Sequence, residues 1–255
     1  MTGSARRLTG KSGYGDRVPL VAAAVCPHPP LLVPEVAGAV APELDELRAA
    51  CDSAVAALLA HRPDAVVLIG DGPVTGWIGP PATGSLQPWG VDLAVPLDPT
   101  LPDRGSVLPL SLTIGAWLLT RHDPRPPVAA VQVAADAGPA LLRDLAGQVH
   151  DHSPRVGLLV LGDSSACRGE KSPGYHDPRA EPYDRAVAAA LAGADADALL
   201  GLDPVLSAQL RVAGRAPWQV LAGAARAAGG DWRGELLYDA APYGVAYLVA
   251  SWTPA

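Results

Sequence analysis

The sequence predicts an α/β protein, a single domain built on a mostly parallel central sheet with helices on both faces. Short apolar runs alternate along the chain with longer segments that carry apolar residues at helical spacing. Several runs are apolar throughout, which is typical of strands buried on both faces. No internal repeat or linker divides the chain, so we predict one domain over residues 18–255, preceded by a flexible tail at residues 1–17.

The elements of the first half follow from local patterns. Leu20–Cys26 is an unbroken apolar run and predicts a buried strand. Residues 42–61 predict a helix, because acidic residues fill its first turn, where the helix dipole favours negative charge. Ala65–Ile69 predicts a second strand. The Gly-, Pro- and Trp-rich stretch 74–103 is too long for a plain connection, so we expect it to shape a binding surface, with residues 91–97 pairing as an edge strand.

The second half continues the alternation and closes with two strands that we expect to be antiparallel neighbours. A short helix is expected near Asp203, and Pro217 suits the first turn of the last helix. The predicted helices are 108–121, 138–150, 183–192 and 217–228, and the predicted strands are 127–133, 156–161, 235–239 and 244–252.

Composition excludes several classes of protein. The 255 residues are 49% hydrophobic with a net charge of −7, and no basic stripe is present to neutralise nucleic-acid phosphates. The three cysteines show no CxxC spacing, which argues against a disulfide framework or a zinc ribbon. Residues 1–17 lack the apolar core of a secretory signal, so we do not expect them to be one, and no apolar run reaches the roughly 18 residues of a membrane helix. We therefore expect a cytoplasmic protein without nucleic-acid or membrane partners, and leave a small-molecule ligand and a homo-oligomer open.

The segment that most suggests chemistry is Cys26-Pro27-His28-Pro29-Pro30, directly after the first predicted strand. Proline fixes φ and restricts the residue before it, so His28 lies in a stiff turn at the carboxyl end of a strand. Ligands of open α/β sheets bind at that edge, and a rigidly held imidazole suits a metal ligand or a general base. The alternative is a turn in which His28 caps the strand or packs on the surface.

Two carboxylates follow other predicted strands. Asp71 lies in Gly70-Asp71-Gly72-Pro73, and Asp163 lies in Gly162-Asp163-Ser164-Ser165. If the strands are parallel neighbours, both side chains converge with His28 on one edge of the sheet, where a histidine and carboxylates can hold a divalent metal. Both segments are also ordinary turns, in which the aspartate bonds its own backbone.

A second histidine-bearing loop, residues 174–178, carries His176. It is a candidate general acid, general base or substrate contact, and its alternative is a solvated loop residue. Asp163, Ser164 and His176 together allow an unrelated hydrolase or transferase. That hypothesis ranks behind the others, because Ser164-Ser165 lacks the G-x-S-x-G elbow.

From residue 18 onward the chain resembles the LigB-like class III extradiol ring-cleavage dioxygenases and the related Memo-type proteins. The matching segments are Pro27-His28-Pro29-Pro30, Val66 to Pro73, Leu161 to Ala166, Gly174 to Asp184, and Gly214-Arg215-Ala216-Pro217. The resemblance implies a LigB-like fold, a ring-cleaving oxidoreductase acting on a catechol-type or other small aromatic substrate, and non-haem Fe(II) or another divalent metal. It places His28 at the first metal-ligand position.

The sequence departs from the family at three functional positions. Asp71 stands where the second metal-ligand histidine is expected, and Ala166 stands at the position of the catalytic histidine. The third ligand falls near residues 213–215, which contain no Glu or Cys. Two hypotheses therefore remain. One is a modified metal site at His28 and Asp71, with His176 or Asp163 as catalytic residues. The other is a catalytically degenerate member, without a metal, that binds a ligand or a partner protein.

Overall fold

A seven-stranded sheet lies at the centre of the computed structural model, which describes residues 20–102, 105–123 and 125–255. The predicted tail at residues 1–17 lies outside this range. The strands are β1 (Leu20–Cys26), β2 (Ala65–Asp71), β3 (Gly76–Ile78), β4 (Ala82–Ser85), β5 (Ala94–Pro96), β6 (Ser106–Val107), β7 (Val128–Val133), β8 (Val156–Leu161), β9 (Trp232–Ala240) and β10 (Tyr247–Pro254).

The central sheet has the order β3-β7-β2-β8-β1-β10-β9. Its middle strands β7, β2, β8 and β1 are parallel, as expected for strands connected through helices. Strand β3 pairs antiparallel with β7, and β10 pairs antiparallel with both β1 and β9. The mostly parallel sheet and the antiparallel pairing of the last two strands are therefore confirmed.

Helices cover both faces of this sheet, which confirms the predicted α/β layering. Helices α4, α5, α6 and α8 pack on one face, while α2 and α3 pack on the other. The helices are α1 (Pro34–Ala37), α2 (Asp45–Ala60), α3 (Leu110–Thr120), α4 (Pro139–His150), α5 (Ala180–Ala192), α6 (Ala196–Leu200), α7 (Pro204–Gln209) and α8 (Arg215–Ala228).

Burial on both faces explains why the central strands are apolar throughout. Successive strand side chains point to opposite faces, so Ala23 and Val25 of β1 join one core while Ala22 and Ala24 join the other. Every residue of β1 and β8 is buried. A strand in this position has no solvent-facing side, and the alternating pattern of a half-exposed strand is absent for that reason.

The stretch 74–103 contains more regular structure than its composition predicts. Strand β3 extends the central sheet, and β4, β5 and β6 form a second sheet in the order β5-β4-β6. The predicted edge strand at 91–97 appears as β5, but it lies at the edge of this small sheet. Leu86 and Leu97 are fully buried against the central sheet, so much of the stretch contributes to the core.

Several helices differ from the sequence-based expectation. Helix α1 was not predicted, α2 begins at Asp45 rather than at residue 42, and α8 begins at Arg215 rather than at residue 217. Helix α5 begins at Ala180, three residues before the predicted start, and α6 was not predicted. A five-residue helix is too short to show a 3.6-residue period, and α6 is instead held by its cap, where the Asp195 side chain accepts a hydrogen bond from the Ala198 amide. Within the described residues, no helix combines the length and the apolar composition needed to cross a bilayer.

Candidate functional site

Three neighbouring strands end at the same edge of the sheet and bring together the residues that the sequence singled out there. Asp71 is the last residue of β2, Asp163 follows β8, and His28 follows β1. The His28 Nε2 atom lies 3.2 Å from Asp71 Oδ1, and His28 Nδ1 lies 3.6 Å from Asp163 Oδ1. The predicted convergence therefore occurs, and we call these three residues the carboxyl-edge site.

His28 is fixed by its backbone as well as by its prolines. Its main-chain amide donates a 2.8 Å hydrogen bond to Asp163 Oδ1. The turn continues into a 3₁₀ helix over Pro30–Leu32, which opens with a bond from the Leu32 amide to the Pro29 carbonyl. Only 6% of His28 is exposed. The imidazole is consequently held with each ring nitrogen facing a different carboxylate.

Asp163 is the more enclosed of the two carboxylates, with 18% of its side chain exposed. Burial raises the pKa of Asp163, while the facing His28 opposes the rise. Its main-chain carbonyl accepts a hydrogen bond from the Gly214 amide, which fixes the backbone at the start of α8. The Tyr247 phenol lies near this carboxylate, since burial and, to a smaller extent, the charge of Asp163 raise the pKa of Tyr247. Tyr247 is a neighbour that the sequence did not reveal.

Asp71 forms the open side of the site, with 39% of its side chain exposed. Its main-chain carbonyl accepts a 2.7 Å hydrogen bond from the Ser111 hydroxyl on α3. Asp71 Oδ1 and His28 Nδ1 are buried without a hydrogen-bond partner among the described residues. Asp71 Oδ1 therefore offers an acceptor that a ligand entering from the Asp71 side can satisfy, whereas His28 Nδ1 faces Asp163.

The residues at this edge do not amount to a complete metal centre. In the described ranges, no group of three or more His, Cys, Asp or Glu residues is placed to hold a metal ion. Catalytic zinc sites and the non-haem iron facial triad both use three protein ligands. Arg215 occupies the region where the family resemblance places the third ligand, and it is a cation. His28 and Asp71 thus lie together as predicted, but the described donor set does not fit a three-ligand metal.

His176 lies apart from this site. It is exposed and lines a separate cavity of about 220 Å³ together with Cys167 and Asp177. Across the described residues, no hydrogen bond or ion pair joins His176 to His28, Asp71 or Asp163. The loop turns outward at Tyr175, which adopts a positive φ of 59°. The structure therefore does not bring His176 together with the other candidate residues.

The serines after β8 have a structural arrangement. The hydroxyls of Ser164 and Ser165 donate to the buried carboxylate of Asp184 on α5, at 2.5 and 2.7 Å. The Ser165 amide and the Arg168 guanidinium donate to the same carboxylate. Ser164 is fully buried. Asp184 thus anchors the segment that carries Asp163, and Ser164 does not face His176 in a nucleophile–base pair.

Comparison with known proteins bears on the fold. No protein-family model and no curated protein matches the chain. A solved structure does match: the uncharacterized protein JW3007 from Escherichia coli K12, with a TM-score of 0.54 and 16% sequence identity. The alignment covers 91% of this chain and 99% of that one. At this identity the likeness concerns the fold alone.

Proposed function

We propose that the carboxyl-edge site is the small-molecule site of a LigB-like protein and that His28 acts there as a general acid or base. The observation that carries the proposal is the position of the imidazole, 3.2 Å from Asp71 and 3.6 Å from Asp163. A histidine positioned beside a carboxylate is a recurring arrangement for proton transfer.

Each residue has a distinct role in this proposal. Asp163 accepts a hydrogen bond from the main-chain amide of His28 and its carboxylate faces Nδ1, so it positions the ring. Nε2 faces the open side of the site at Asp71 and is a proton acceptor when Nδ1 carries the ring proton. A substrate hydroxyl entering beside Asp71 can give its proton to Nε2, and the two carboxylates stabilise the imidazolium that forms.

The proposed substrate class is a catechol-type or other small aromatic alcohol. The sequence resemblance supports this class, because extradiol chemistry requires deprotonation of a catechol hydroxyl. Asp71, in the second-ligand position of that family, leaves a carboxylate at the open side where a second hydroxyl of the substrate can donate a hydrogen bond. No step in this proposal depends on a bound metal.

The test is ultraviolet difference spectroscopy of catechol bound to the purified protein, with metal content measured on the same sample. A catecholate absorbance at a pH where free catechol stays neutral is expected with the wild type and is expected to vanish in His28→Gln. His176→Gln is the matched control, since it makes the same change at an exposed position, and it should retain the signal.

Two outcomes would contradict the proposal. One is a catecholate signal that survives in His28→Gln. The other is a stoichiometric metal that is lost in both His28→Gln and Asp71→Asn, accompanied by aerobic formation of a ring-cleavage product. That result would establish the modified metal site instead.

A second candidate is a catalytically degenerate member that binds a ligand or partner without turnover. Ala166 favours it, because this buried residue occupies the family's catalytic histidine position and cannot transfer a proton. This candidate predicts that catechol binds saturably without a catecholate absorbance and that binding does not change between pH 6 and about pH 8. That result would favour this candidate over the first.

A further inference from the structure

A cavity of about 650 Å³ lies between α4, α6 and α8, away from the carboxyl-edge site. Arg215 and Gln219 of α8 line it, together with Leu142 of α4 and Leu202 after α6. None of the three residues of the carboxyl-edge site is among its lining residues. A ligand proposed for this cavity therefore does not rest on the function proposed above.

The cavity is lined by Arg215, a residue that is 95% enclosed and whose guanidinium pairs only with neutral groups among the described residues. Arg215 is 5% exposed, and it donates to the Gln219 side-chain carbonyl at 2.6 Å and to the Ala135 main-chain carbonyl. Gln219 is itself fixed, because its amide donates to the main-chain carbonyls of Leu200 and Leu202. Within the described residues, no carboxylate lies at ion-pair distance from Arg215.

A buried charge is costly unless an opposite charge accompanies it. Burial lowers the pKa of Arg215, which reflects the same cost. The other arginines of the cavity do not need a ligand, since Arg226 is paired with Asp197 at 2.8 Å and Arg143 is exposed to solvent along with Asp136. One positive charge in the cavity lining thus has no described counter-charge, and a monoanion would balance it.

The remaining lining is apolar, and it includes Pro139, Leu142, Leu202 and Pro204. The volume lies within the range of roughly 300–1,000 Å³ that is usual for small-molecule sites. A carboxylate matches the planar guanidinium with two parallel hydrogen bonds, and an apolar body matches the walls. We propose that this cavity binds an organic monocarboxylate with an apolar body, its carboxylate on Arg215.

The test compares benzoate with its neutral isostere benzamide by isothermal titration calorimetry on the full chain. Benzoate is expected to bind at least about tenfold more tightly than benzamide, because only the anion makes charge-assisted bonds with the guanidinium. Arg215→Gln is expected to weaken benzoate binding by about tenfold or more and to leave benzamide binding nearly unchanged. Arg185→Gln is the matched control, since it alters an exposed arginine outside the cavity, and it should bind benzoate as the wild type does.

A second variant keeps the test decisive if Arg215→Gln does not fold. Leu202→Trp fills the half-buried apolar wall while leaving Arg215 in place, and it is expected to abolish benzoate binding. Equal binding of benzoate and benzamide to the wild type would overturn the proposal, and so would no binding of either. Inorganic phosphate that displaces benzoate at equal concentration would overturn the assignment of a monocarboxylate with an apolar body.

Discussion

The carboxyl-edge site and the cavity lined by Arg215, which we call the Arg215 cavity, surround a buried basic side chain with different charges. At the carboxyl-edge site one imidazole faces two carboxylates. In the cavity one guanidinium donates to an amide side chain and a main-chain carbonyl, and no carboxylate of the described residues pairs with it. In our proposal the first arrangement supplies the charges for proton transfer. The second lacks a counter-charge, and a ligand anion supplies it in our proposal.

The two regions are nevertheless adjacent in the backbone. The Gly214 amide bonds to the Asp163 carbonyl, and Arg215 follows as the first residue of α8. Gly214 packs directly on the Trp218 ring, where a Cβ would lie 2.2 Å from the nearest ring atom, so no larger residue fits between the two regions. The difference between them therefore arises from side chains, within a backbone that is shared and tightly packed.

The largest change in stability is expected when the Asp184 network, which anchors the segment carrying Asp163, is removed. Asp184→Ala leaves the Ser164 and Ser165 hydroxyls and Arg168 without their common acceptor, and we expect it to lower the free energy of unfolding by about 3–5 kcal/mol. Urea denaturation measures this loss. Asp197→Ala, which removes the exposed partner of Arg226, serves as the control and should cost less than about 1 kcal/mol. Similar losses in the two variants would show that the Asp184 network does not support the site.

Asp163→Asn is expected to raise the free energy of unfolding, by less than Asp184→Ala lowers it. Because burial raises the pKa of Asp163 in the folded protein, the folded state holds the proton more firmly than the unfolded state. Stability is therefore greatest below the ordinary aspartate pKa and falls as the pH rises through the higher folded value. Asparagine can still accept the His28 amide bond, so we expect the variant to be up to about 1 kcal/mol more stable at neutral pH.

The measurement for Asp163→Asn is urea denaturation across the acidic range. The variant should lack the fall in stability that the wild type shows there. The opposite result is a wild-type stability that rises with pH through this interval, together with the loss of that rise in Asp163→Asn. It would mean that His28 affects the pKa of Asp163 more than burial does.

A still smaller change in stability is expected for Arg215→Met, although the residue is almost fully enclosed. The substitution loses two hydrogen bonds but also removes a buried charge that has no anionic partner, and these effects oppose each other. We expect the free energy of unfolding to change by less than about 1 kcal/mol. A loss as large as that of Asp184→Ala would mean that Arg215 is a structural residue, and the two regions would then not differ as described.

The smallest effect is expected at Asp177, in the exposed loop of His176. Hydrogen bonds from Arg179 lower the pKa of Asp177 to about 2. Its contribution to stability is therefore present above the ordinary aspartate pKa and is lost as the pH falls below that value toward about 2. In Asp177→Asn the acid limb of the stability profile should shift only slightly, since exposed pairs contribute little. An acid limb that moves as far as in Asp163→Asn would contradict this ranking.

Much of the fold follows from local sequence patterns. The bounds of β1 and β8 match the apolar runs that predicted them, because a strand buried on both faces must be apolar along its whole length. The approach of His28, Asp71 and Asp163 was predicted as well, since parallel strands end at a common edge. Helix α6 and the small sheet of β4, β5 and β6 were not predicted as such, because a short cap and long-range pairing define them.

The sequence by itself determined the layered α/β fold, the stiff turn around His28 and the edge of the sheet at which polar residues gather. Only the tertiary structure decided which polar residues meet. It placed His176 outside the site, joined both serines to Asp184 across the β8–α5 connection, and enclosed Arg215 between helices distant in sequence. These contacts depend on how loops return and how helices pack, and no local periodicity encodes the distance between two side chains that far apart in the chain.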